Sequence, residues 1–163
     1  MKSLITVSFL ILLFGTVACG AGESGNEHTS ADRQNDSGDA ALTAFELDHG
    51  LGPITENVEI GDDIDQAKAK NGFEIFDMKC AACHRMDSRL VGPPLGDVTE
   101  KRSPEYIMNF ILNPEENTKK HPVGQELLKE YMMQMTFQNV SEPEARQILE
   151  YFRHVNQTGE EVL

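Results

Sequence analysis

The sequence predicts an all-α fold for residues 64–157, with about four helices and no sheet. Apolar residues recur there at helical spacing, in segments opened by caps or closed by breakers. No segment alternates apolar and polar residues as a half-buried strand would. The domain also lacks Trp and is only modestly apolar, and a helical core of this size needs a staple or a large apolar group to complete it.

The elements follow in chain order. Residues 1–18 read as a signal peptide: Lys2 supplies a basic end, and Leu4 to Val17 is an apolar run too short to span a bilayer comfortably. The run ends in "TVACG", which resembles the lipobox of bacterial lipoproteins and makes Cys19 the expected lipid-carrying residue, although Thr16 stands where Leu is usual. An ordinary signal peptide or an uncleaved anchor is the alternative. Residues 19–44 are rich in Gly, Ser, Asn, Asp and Glu and read as a flexible acidic tether. Residues 45–63 mix apolar and turn residues and read as an extended arm.

Within the domain, Ala69, Gly72, Phe73, Phe76, Cys80 and Cys83 recur at helical spacing, which places the cysteines at the end of an amphipathic helix. "VGPPLGD" at 91–97 breaks regular structure. Ser103 as N-cap, Pro104 at the first helical position and Glu105 in the first turn open a second helix, and "NP" at 113–114 ends it. A third is expected from about Val123 to Met132. The fourth opens with a capping box, Ser141 and Glu144, and carries the stripe Ala145, Ile148, Leu149, Phe152 and Val155. Residues 158–163 form a tail.

The net charge of −13 is unevenly placed: residues 20–65 hold 12 acids against the single base Arg33. The acidity belongs mainly to the tether, and no basic patch fits a nucleic acid.

"KCAACHRM" at 79–86 carries the chemistry. A redox dithiol of the thioredoxin kind opens a helix after a strand, whereas this pair closes a helix. Structural zinc takes four ligands, typically from two knuckles, and the remaining cysteine, Cys19, lies across the tether. Covalent haem attachment needs two thiols spaced for two vinyl groups and a histidine beside them, which Cys80, Cys83 and His84 supply. Such attachment is a chemistry of exported proteins and agrees with the leader.

Around that motif the chain resembles the class I cytochromes c, small bacterial monohaem proteins, over roughly residues 64–157. Gly72 and Phe76 match the Gly-x-x-x-Phe before the haem cysteines, Ile148 and Tyr151 match the apolar–aromatic pair of the last helix, and "GPPL" at 92–95 matches Gly-Pro-x-Leu. The resemblance implies one haem c within the helices and a close crossing of the first and last of them at Gly72. It also implies a bond from His84 Nδ1–H to the Pro93 carbonyl, which would orient His84 as an iron ligand.

For the sixth ligand the candidates are Met108, Met132, Met133, Met135, His121 and His154. Met108 falls inside a helix, and Met132 and Met133 at a helix end. Met135 lies in a loop six residues before Ser141, and the resembled family draws its ligand methionine from such a loop. His121 and His154 are expected on the surface. His84 with Met135 would close both axial positions, which suits an electron carrier rather than an enzyme. An open-haem enzyme or a gas or redox sensor is the alternative. "GLGPI", "SPEYIMNFILNPEE" and "MTFQNVSEPEAR" are similar to cytochromes that accompany nitrous oxide reductase in some bacteria. The expected protein is therefore exported and lipid-anchored, in the periplasm or at the outer face of the cytoplasmic membrane. Its expected partners are a donor cytochrome or quinol-oxidising complex and a terminal reductase or oxidase, nitrous oxide reductase among them.

Overall fold

The computed structural model describes residues 41–161. Among these residues there are seven helices and no strand: α1 Ala44–His49, α2 Gln66–Lys79, α3 Val98–Lys101, α4 Pro104–Leu112, α5 Pro114–Lys120, α6 Pro122–Tyr131 and α7 Glu142–Thr158. Cys19, the expected signal peptide and most of the expected tether lie outside the described residues.

α2 and α7 form the main packing pair, and the reason is one missing side chain. Gly72 is buried, and a Cβ there would overlap the Gln147 carbonyl oxygen and come to 3.0 Å of the Ile148 nitrogen. Only glycine lets the two backbones approach this closely. Around that crossing Phe73 and Phe76 each meet Tyr151 at 5.5 Å between ring centroids, and Phe76 meets Phe152 edge-on at 5.8 Å. Ile107, Met108 and Ile111 of α4 complete the same core, with Cys80, Ala81 and Leu95 packed at its margin.

Local chemistry sets the helix starts. Asp65 caps α2 by accepting from the Lys68 N–H at 3.0 Å. The Ser103 hydroxyl caps α4 by accepting from the Tyr106 N–H at 3.1 Å. At α7 the Glu144 carboxylate reaches back to the Ser141 N–H at 2.7 Å. The Ser141 N–H first, and then Lys79, hold the Glu144 carboxyl down at about 2.

Three helices depart from expectation. Pro114 ends α4 and also opens α5, because a proline at the first helical position lacks only an N–H that would have no intrahelical partner. α3 is a single turn after "VGPPLGD". The arm is helical at its start, where Thr43 and Glu46 form a capping box, with the Glu46 N–H on Thr43 Oγ1 at 3.2 Å and the Thr43 N–H on Glu46 Oε2 at 2.8 Å.

The rest of the arm is stitched to α4, α5 and α6 by side chains. Asn109, fully buried, accepts from the Ile54 N–H at 3.0 Å and donates to the His49 and Ile54 carbonyls at 3.0 and 2.9 Å. Asn117 accepts from the Leu51 N–H at 2.8 Å and donates to the Leu51 carbonyl at 2.6 Å. Each bond satisfies an arm backbone group that would otherwise be buried unpaired.

His121 and His154, expected on the surface, are both buried, at 2% and 6% exposure. His121 caps α6: its Nδ1 accepts from the Val123 N–H at 3.2 Å, so Nε2 carries the proton and donates to the Leu47 carbonyl at 3.1 Å. The docked arm covers it. His154 lies on α7 one turn beyond Tyr151, and its ring nitrogens have no partner among the described residues.

Candidate functional site

The site begins where α2 ends. Cys80 is the C-cap of α2, its N–H donating to the Phe76 carbonyl at 2.8 Å. The chain then turns tightly, with the Cys83 and His84 N–H groups both donating to the Cys80 carbonyl at 3.0 Å. The turn brings Cys80, Cys83 and His84 together. Both cysteines are free thiols, Cys80 half-buried and Cys83 exposed. Burial pushes the Cys80 thiol up to about 11 against the opposing charge of Lys79.

The next loop folds back on this turn. The Gly92 N–H donates to the Cys83 carbonyl at 2.9 Å, Leu95 N–H to Arg85 at 3.0 Å and Gly96 N–H to Met86 at 2.9 Å. This pairing sets Pro93 beside His84, whose Nδ1 donates to the Pro93 carbonyl at 3.0 Å. A carbonyl only accepts, so the proton sits on Nδ1 and Nε2 presents a lone pair. Burial pushes His84 below the usual histidine value, and the Pro93 bond opposes that shift. The neutral ring is the form a metal requires. Gly92 is the cradle: a Cβ there would overlap His84 Cε1 and lie 2.8 Å from Nδ1 and 3.0 Å from Nε2.

Residues 133–140, between α6 and α7, form no regular element. Met135 lies here and is half-buried, whereas Met132 and Met133 are 81% and 59% exposed. Met108 is 1% exposed inside α4, as core. Two contacts that the sequence does not announce bind this segment to the cysteine side. Lys79, the residue before Cys80, donates from Nζ to the Asn139 carbonyl at 2.9 Å. Arg89, in the loop after His84, donates to the Glu130 carbonyl at 3.0 Å and lies 4.2 Å from the Tyr131 ring centroid.

Haem suits this arrangement on two grounds. Two free thiols share one turn with an oriented neutral imidazole that has an available Nε2. Leu90, Val91, Met133 and Phe137 are exposed large apolar side chains on the two loops, surface that a flat apolar macrocycle would cover.

The cytochrome c family model matches residues 69–156. A cytochrome c from Rhodothermus marinus is 46% identical, the likeness covering 69% of this chain and 96% of that one at a TM-score of 0.66. An engineered cytochrome c from Rhodothermus marinus is 44% identical over 69% of this chain and 97% of that one, at a TM-score of 0.65. Another engineered form, bound to a carbene intermediate, gives 44% identity over the same shares and a TM-score of 0.63. No curated protein matches.

Proposed function

The chain belongs to the cytochrome c family, and from that premise we propose a lipid-anchored monohaem electron carrier with His84 and Met135 as its axial ligands. The family's cofactor is covalent haem c, and Cys80 and Cys83 are consistent with holding it. When bound, haem supplies a one-electron couple at the iron. The chain's own residues do the rest. Pro93 orients His84, and Gly92 leaves room for its ring. The observation that carries the Met135 reading is the bracketing of residues 132–140: Arg89 holds the chain just before this segment and Lys79 holds its far end, both from the cysteine side. A half-buried methionine in the middle of such a strap suits the distal position better than its exposed neighbours. A thioether opposite an imidazole favours the reduced iron and raises the potential.

Attachment is tested on the exported protein. Acidified organic solvent should extract no haem from the denatured wild type, and Cys80→Ser or Cys83→Ser should abolish or sharply reduce covalent haem. Complete extraction from the wild type would defeat the assignment.

Anchoring through Cys19 is supported by the "TVACG" junction. Cys19→Ser should release a soluble or unprocessed form, and mass spectrometry of the mature N-terminus should find lipid on Cys19. An unmodified N-terminus elsewhere would refute it. Such a carrier would take electrons from a donor cytochrome or quinol-oxidising complex and pass them to a terminal reductase or oxidase, in the periplasm or at the outer face of the cytoplasmic membrane. Nitrous oxide reductase is one acceptor of this class, on the similarity of "GLGPI", "SPEYIMNFILNPEE" and "MTFQNVSEPEAR" to cytochromes that accompany it.

A further inference from the structure

Between its two ends the Met135 segment is sparsely held. Among the described residues the backbone N–H groups of residues 133–139 donate to no backbone carbonyl, and the Gln138 side chain bonds back to Thr136 within the segment itself. The two non-glycine residues of positive φ among the described residues, Met132 at 55° and Asn139 at 52°, sit at its two ends. That backbone region is uncommon for methionine and readily adopted by asparagine, and the chain changes direction at both points.

The end near Lys79 is reinforced by the ion pair with Glu144 at 2.9 Å and by Val140, which is buried in the core. The other end depends on Arg89. Its guanidinium stacks on Tyr131, donates to the Glu130 carbonyl and approaches the Glu130 carboxylate at 3.9 Å, 41 residues along the chain.

We infer that Arg89 is a positioning residue for Met135: it latches the start of this segment to the loop after His84 and thereby sets how often Met135 leaves its ligand position. Arg89 acts through Tyr131 and Glu130. A planar guanidinium can stack and donate at once, which a lysine ammonium does poorly. The side chain is about half exposed, at 53%, so the latch tunes the equilibrium rather than deciding it. Discounted for that exposure, a cation–π contact with one charged hydrogen bond corresponds to roughly a five- to tenfold change in an opening constant.

The inference rests on the Met135 reading, and one titration separates the two. An added ligand binds only molecules whose Met135 has left, so its apparent affinity follows the open fraction. Oxidised holoprotein is titrated with imidazole while the red Met–iron charge-transfer band is followed. Arg89→Gln should tighten imidazole binding by about fivefold or more, with the band intact before imidazole is added. Arg89→Lys should fall between that variant and the wild type, and Tyr131→Leu should reproduce part of the effect. If Arg89→Gln does not accumulate, the other two variants give the same readout. An unchanged imidazole affinity overturns the latch, including when the melting temperature falls, since a merely structural role would lower the melting temperature alone. A wild type that lacks the band and binds imidazole as tightly as Met135→Ala overturns the Met135 reading and the latch with it.

Discussion

Replacing Met135 by alanine should lower the reduction potential by on the order of a hundred millivolts, because axial-ligand identity is the largest protein control on haem potential. The oxidised variant should lose the red charge-transfer band and bind added cyanide or imidazole. Met132→Ala and Met133→Ala should leave spectrum and potential nearly unchanged, since those side chains are 81% and 59% exposed at the strap's start. Met108→Ala should destabilise the fold by about 2–5 kcal/mol, as for a buried methionine, while sparing the band. Redox titration and absorption of the four variants decide the matter. An unchanged Met135→Ala protein would return the site to the alternative expectation, an open-haem enzyme or sensor.

The second large effect is expected far from the iron. Gly72→Ala should destabilise the protein by a net of about 2 kcal/mol or more. Alanine in a helix interior gains about 1 kcal/mol over glycine. Here the new methyl meets the Gln147 carbonyl and the Ile148 nitrogen, and backbone cannot swing aside as a side chain can. Overpacking costs about 1–3 kcal/mol and occasionally more. Because the overlap here is with backbone, the cost lies at or above the upper end, about 3 kcal/mol, and leaves a net loss of about 2 kcal/mol or more after the propensity gain. The melting temperature should fall by roughly 10 °C for a domain of this size. Asn71→Ala, one residue earlier on the exposed face of α2, should be neutral or slightly stabilising. A Gly72→Ala protein as stable as wild type would mean that α2 and α7 can separate without cost.

What the sequence makes legible divides by distance along the chain. Asp65, Ser103 and Ser141 announce their helices because each cap acts within three residues of itself. The motif Cys80, Cys83, His84 is equally local. The family resemblance extends that reach to the α2–α7 crossing. Pro114 misleads because one residue type both stops and starts helices, and only the chain after it shows which. His121 and His154 look like surface residues because nothing nearby tells of their burial, and His121 is covered by Leu47, 74 residues away. Lys79 and Arg89 resemble ordinary solvated cations for the same reason, since their partners lie 60 and 41 residues along.

The stitched arm has a consequence for encounter frequency. Because the chain is pinned to the domain from α1 onward, a lipid on Cys19 would be joined to it by the 24 residues up to Thr43, rather than by the 45 up to Ile64 that a loose arm would add. At about 3.5 Å per residue, the longest possible leash is then about 85 Å instead of about 160 Å. With such an anchor, the half-sphere above the membrane that the domain could visit would shrink roughly sevenfold, and its local concentration at any acceptor within reach would rise by the same factor. Asn109 and Asn117, with no part in electron transfer themselves, would in this way set how often the carrier meets its partners.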